Sequence, residues 1–135
     1  MKEYAYRLAM EVRDYECDLQ QVVNNANYQH YLEHARHKFL EAQGVNFRVL
    51  HEQGVAPVVS HIEISYKTSL RASDPFEVCI NIERCGAKGI FHQDIYRLPD
   101  HALCVRATVS CVILEGGRIT KGDRFDDYFA KYYPR

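Results

Sequence analysis

One run of helical spacing, followed by segments that alternate with period two, most constrains what this chain can become. Tyr28, Tyr31, Leu32, Ala35, Phe39 and Ala42 recur at three- and four-residue steps. That spacing places them on one face of an α-helix. Glu33, His34, Arg36, His37, Lys38 and Glu41 fall on the other face, which reads as solvated or as an interface with i,i+3 and i,i+4 pairs. Asn24, Asn25 and Asn27 are all capable N-caps, because a short side-chain oxygen accepts from the free N–H groups of a first turn. Gly44 is a natural C′ stop, and Val22 and Val23 are placed to pack over the first turn. Asp18 stands a short loop upstream, near the partial positive charge of a helix N-terminus. A carboxylate beside a set of N–H donors is what acyl transfer needs.

The remaining segments set the fold class. Residues 3–15 alternate, with Tyr4, Tyr6, Leu8, Met10 and Val12 on one face, and predict a strand. Residues 16–26 are the loop into the helix, and Phe47 to Gln53 add a short helical turn closed by Gly54. Strands are expected at 55–70, 76–86, 90–98 and 103–114, separated by the turns RASDP, AKG and PDHA and ended by Gly116 and Gly117. The aromatic-rich tail 124–135 predicts a short terminal helix. Short turns join antiparallel neighbours, so the class is α+β: a five-stranded antiparallel sheet with one face on a helix. One helix leaves part of that sheet uncovered, which calls for a partner chain.

Bulk properties narrow the function classes. The 135 residues, 1–135, read as one domain. A net charge of −1 argues against nucleic acid as the main partner. No apolar run approaches the ~20 residues that span a bilayer. The first residues carry alternating charges without an apolar core, unlike a signal peptide. The five cysteines, Cys17, Cys79, Cys85, Cys104 and Cys111, form no C-x-x-C pair and sit largely in strand-like runs. That usage fits a reducing compartment. His30, His34 and His37 lack acidic or cysteine partners at ligand spacing, so no metal site is expected.

The loop and helix ECDLQQVVNNANYQHYLEHAR resemble the signature of the 4-hydroxybenzoyl-CoA thioesterase group, which includes the YbgC-like acyl-CoA thioesterases and the plant acyl-lipid thioesterases. VRDYE, Asp18, VVNNA and HARHKFL are most similar to the plant branch, and SLRASDPFEV resembles the family's turn. The resemblance implies a hotdog fold, a five-stranded antiparallel sheet wrapped around one long central helix. It also implies a thioesterase acting on acyl-CoA or acyl-carrier-protein thioesters, with no cofactor, as a homodimer or homotetramer with its acyl site between subunits. The implied location is the cytoplasm, or an organelle stroma if a transit peptide has been removed.

Asp18 falls on the family's catalytic carboxylate, as nucleophile or general base. Asn25 stands where YbgC-like members often carry His and would hydrogen-bond the thioester carbonyl. Val23, Asn24, Ala26, Asn27 and Tyr28 surround the substrate in this reading, and Gln21 stands where the family often has Gly. Lys88, with Arg84, would meet the phosphates of coenzyme A. Arg71, Arg118, Lys121 and Arg124 would supply a basic surface for an acidic carrier protein. From the residues alone, Asn24 and Asn25 are also plain caps, and Tyr28 and Tyr31 plain core. A non-catalytic thioester binder, a polyketide-pathway thioesterase and a dehydratase using His61 or His92 are the alternatives.

Overall fold

The computed structural model describes residues 3–134. In chain order the elements are β1 (Tyr6–Glu11), α1 (Asn25–Ala42), α2 (Phe47–Glu52), β2 (Val55–Tyr66), β3 (Pro75–Cys85), β4 (Lys88–Arg97), β5 (Leu103–Glu115), β6 (Arg118–Ile119) and α3 (Asp123–Phe129). Single 3-10 turns lie at Asp14–Glu16 and Ala130–Tyr132. All neighbouring strands are antiparallel, in the order β1-β3-β4-β5-β2, with the two-residue β6 appended to β5. Five long strands around one long helix is the expected architecture, and β6 is an addition that two residues of pattern do not reveal.

The long helix forms where its apolar spacing and caps agree. Asn24 is the N-cap, its side-chain oxygen accepting from the Ala26 N–H at 2.9 Å. Gly44 follows the last turn at φ +86°, with its N–H on the Glu41 carbonyl. Such a left-handed stop is cheap only for glycine. Tyr28, Tyr31, Leu32, Ala35 and Phe39 are buried against the inner faces of β3 and β5. Phe76, Val78, Ile80 and Ile82 come from β3, and Val105, Ala107, Val109 and Ile113 from β5. Phe39 is fully buried, its ring 5.0 Å from Tyr6, 4.7 Å from Phe129 and 5.3 Å from Tyr132. Deleting such a ring costs on the order of 3–5 kcal/mol.

Two expectations are corrected, and the expected terminal helix is present. The first strand is shorter than 3–15. After Glu11 the Val12 N–H turns to the Asp74 carbonyl and Asp14–Glu16 winds into a 3-10 turn, while the Tyr4 hydroxyl bonds Tyr96 and the buried Asp94. Arg36 is not on a solvated face: it is 6 % exposed. The terminal helix is α3 plus a 3-10 turn, ending before Tyr133; Arg135 of the expected tail lies outside the described residues. In β2, Ser60 is an extra residue between the pairs Val59↔Cys111 and His61↔Ser110. A bulge shifts the alternation by one. Pro57 and Val59 therefore share the inner side with Ile62, Ile64 and Tyr66.

Candidate active site

The loop before α1 is folded by its own backbone. Cys17 and Val23 form an antiparallel bridge, and between them Asp18 donates its N–H to the Val22 carbonyl at 2.9 Å. The Gln21 N–H donates to the Asp18 carbonyl, closing a tight turn with Gln21 at φ +67°. A residue without a glycine's freedom is held here in the left-handed region. Gln21 therefore occupies a position that glycine would fill without strain.

Asp18 is exposed. Its Oδ1 accepts from the Gln20 N–H at 2.8 Å, an Asx-type turn contact. Among the described residues, Oδ2 has no hydrogen-bond partner. The side chain is thus oriented by one oxygen and open at the other.

The helix start is docked onto the same loop. The Asn24 N–H donates to the Glu16 carbonyl at 3.0 Å, and Asn27 Nδ2 donates to that same carbonyl at 2.8 Å. The Val23 N–H donates to the Leu70 carbonyl, and the Tyr28 hydroxyl accepts from the Leu70 N–H at 2.9 Å. Tyr28 and Val23 are buried, Asn27 half-buried, and Asn24, Asn25 and Ala26 exposed. Of the first-turn donors, the Ala26 N–H is taken by the Asn24 side chain and the Asn27 N–H by the Asn24 carbonyl. Among the described residues the Asn25 N–H and side-chain amide carry no hydrogen bond, so they are the donors left at this helix end.

A group that the sequence pattern does not reveal holds this assembly. Glu16 is 5 % exposed, and its carboxylate accepts from the Arg13 N–H at 2.7 Å, the Arg13 guanidinium at 2.8 Å and the Tyr31 hydroxyl at 2.9 Å. Burial pushes the Glu16 carboxyl up, but these donors outweigh it, and the group lies below its ordinary 4.5. Burial, then the Glu16 carboxylate, raises the Tyr31 phenol. The local signal is the i,i+3 pair Arg13–Glu16 ahead of the helix; Tyr31 is fifteen positions away and no short-range pattern joins it.

The basic residues distribute to two ends. Lys88 opens β4 just after the two-residue turn, paired with Cys85 at the far end of β3 from Pro75. That end meets α3, since Gly122 abuts the Ala87 carbonyl and Gly89 faces the Phe125 ring. Ten residues of strand, about 33 Å, separate it from the Asp18 end. Within one chain Lys88 and Asp18 are therefore not brought together. Arg84 is committed to Asp123 and Asp126, and Arg124 to Glu115. Lys67 and Arg71 flank the Leu70 backbone that the loop binds, and both are exposed. Among the described residues, no three His, Cys, Asp or Glu side chains are grouped to hold a metal ion.

An open groove of about 380 Å³ leaves the helix start between α1 and β2, past Ala26, Gln29, His30 and Ile62. It shares Glu33, Arg36 and Val59 with a more enclosed cavity of about 190 Å³. Leu40, Phe47, Phe91, Ile113 and Phe125 line that cavity. The arrangement is a carboxylate and free amides near the helix start, from which a groove lined by Gln29, His30, Glu33 and Arg36 leads to a largely apolar cavity.

Known proteins share both the sequence and this architecture. The thioesterase-like superfamily model matches residues 12–131. A chloroplastic acyl-acyl carrier protein thioesterase of Arabidopsis thaliana, ATL3, is 35% identical over 85% of this chain, which spans 60% of that protein's length. The long-chain acyl-CoA thioesterase FadM of Escherichia coli is 31% identical over 78% of this chain and 80% of its own. A crystal structure of an Aquifex aeolicus protein superposes with a TM-score of 0.84 over 92% of this chain and 99% of that one, at 24% identity, a likeness of fold. With the family model covering nearly the whole chain and two relatives above 30% identity, the chain belongs to the thioesterase-like superfamily.

Proposed function

We propose that the protein hydrolyses acyl thioesters of coenzyme A or acyl carrier protein, with Asp18 as the reacting carboxylate. The observation that carries this reading is the pairing of a carboxylate oxygen without a partner with unspent amide donors at the start of α1. A thioester carbonyl is already electrophilic, so hydrolysis asks chiefly for a positioned nucleophile or water and for donors at the developing oxyanion. Asp18 attacks the carbonyl directly or takes a proton from water; the Asn25 N–H and side-chain amide polarise the carbonyl oxygen. Val23, Asn24, Ala26, Asn27 and Tyr28 shape the groove mouth and fix the helix start. The acyl chain runs along the groove between α1 and β2. The relatives named above as acting on acyl-acyl carrier protein and long-chain acyl-CoA support this substrate class.

The same reading calls for a second copy. β2 is a twelve-residue edge strand with exposed Val58, Val59 and Tyr66. Leu19, beside Asp18, is fully exposed. Long apolar edges are rarely left open. A two-fold pairing of β2 edges sets the Asp18 end of one chain against the Lys88 end of its partner, which gives Lys88 a route to the substrate's phosphates.

Free-thiol release from a panel of acyl-CoA and acyl-carrier-protein thioesters tests the reading. Wild type is expected to release thiol, and Asp18→Asn to lose on the order of a hundredfold or more, the range of a missing catalytic base or nucleophile. Equal release by both proteins would remove Asp18 from the mechanism. No release by a folded wild type would favour a non-catalytic binder.

A further inference from the structure

The chain buries a cation that makes no ion pair among the described residues. Arg36 is 6 % exposed and lines both the groove and the enclosed cavity. Its one hydrogen bond among the described residues runs from Nη1 to the Gln93 side-chain oxygen at 2.9 Å. Gln93, itself fully buried, is oriented by donating its Nε2 to the Leu32 carbonyl at 3.0 Å, so only its neutral oxygen faces the arginine. Glu33 borders the same two spaces but is exposed and makes no ion pair with Arg36 among the described residues. A guanidinium has five donors, and among the described residues protein acceptors take one of them. Burying a charge without a counter-charge is costly, and that cost falls when a ligand supplies the acceptor.

The position along the path defines what that ligand carries. Arg36 lies eleven residues beyond Asn25, about 16 Å by the helix rise, and long helical side chains lean back toward the N-terminus. A group bound there sits at the far end of a medium-length acyl chain whose thioester is at Asp18. Beyond it most of the wall is apolar, with His37 also in the lining.

We propose that Arg36 is a specificity-determining residue that binds an oxygen function, a carboxylate most tightly, at the distal end of the acyl group. The site then favours ω-oxygenated acyl chains over plain ones of equal length. This rests on the thioester reading for the direction of the chain, but its test does not require turnover. Calorimetry with the N-methylamides of dodecanoic acid and of dodecanedioic acid (one carboxyl only), here the monoacid and diacid ligands, measures recognition of the distal end alone, because the amide end offers Arg36 no competing carboxylate.

Wild type is expected to bind the diacid more tightly by roughly tenfold or more, the scale of a charge-assisted hydrogen bond. Arg36→Met is expected to lose that preference while keeping the monoacid. Gln93→Glu keeps the arginine and the fold's shape but supplies an internal counter-charge, so it also abolishes the preference; it serves if Arg36→Met fails to fold. Equal affinity of wild type for the two acids, or a preference that survives both substitutions, overturns the proposal. Diacid preference without thiol release would refute only the hydrolase reading, and thiol release without preference only this one.

Discussion

At the scale of single residues, the site rests on two positions that short-range pattern does not explain. Gln21 is held at φ +67° by the turn that carries Asp18. Gln21→Gly relieves that strain and is expected to raise stability by about 0.5–1 kcal/mol, net of the added freedom of the unfolded chain; denaturant unfolding at constant m checks it. Glu16 ties Arg13 and Tyr31 together beneath the loop. Its carboxyl lies below its ordinary 4.5 when folded, so its contribution is complete above about that pH and is lost as pH falls through the folded value. Glu16→Gln is therefore expected to lower the thermal midpoint at neutral pH, with the gap from wild type closing in acid. A gap independent of pH would mean that the carboxylate's charge plays no part. Glu16→Ala also orphans the buried Tyr31 hydroxyl and should cost about 1–3 kcal/mol more than a surface change.

Elements were the most legible level. Periodicity, the Asn24 cap and the Gly44 stop place α1 without tertiary information, and tight turns with short spacing place β3, β4 and β5. A helical pattern assigns charge to the solvent side and so misplaces Arg36; its neighbours Leu32 and Leu40, one i,i+4 step either side, carry the contrary signal and are both buried. The bulge at Ser60 was not legible, since the exposed stretch VVS offers no alternation to break. Its consequence is nonetheless large. Deleting Ser60 turns either Ile62, Ile64 and Tyr66 or Pro57 and Val59 to the opposite face. The deletion is expected to destabilise by several kcal/mol and to lower acyl-chain affinity, whereas Ser60→Ala, which keeps the extra residue, stays within about 1 kcal/mol of wild type. Gly89 is a second constraint at this scale: a methyl there would lie 2.6 Å from the Phe125 ring. Gly89→Ala should displace α3 and cost about 1–3 kcal/mol, readable as an earlier thermal transition.

For the whole molecule, the proposed second copy is what would bring the two ends of the chain's charge distribution together. Asp18 and Lys88 lie at opposite ends of the sheet, and the edge between them is long, apolar and open. A closed two-fold interface is self-complementary, so whatever one copy lacks at one end the other supplies. Complementation between inactive variants tests this more sharply than mass alone. Asp18→Asn removes the proposed reacting carboxylate; Lys88→Glu reverses the charge at the other end. If each site takes Asp18 from one chain and Lys88 from the other, a mixed dimer of the two variants holds one intact site and one doubly altered site. Refolding the variants together at equal ratio makes half the dimers mixed, so thiol release at low substrate is expected to recover to about a quarter of wild type. Sedimentation as a monomer would dismiss the interface outright. A dimer whose variants fail to complement would place Asp18 and its phosphate contacts on one chain, leaving Lys67 and Arg71, the exposed bases beside the Asp18 loop, as the contacts to alter next.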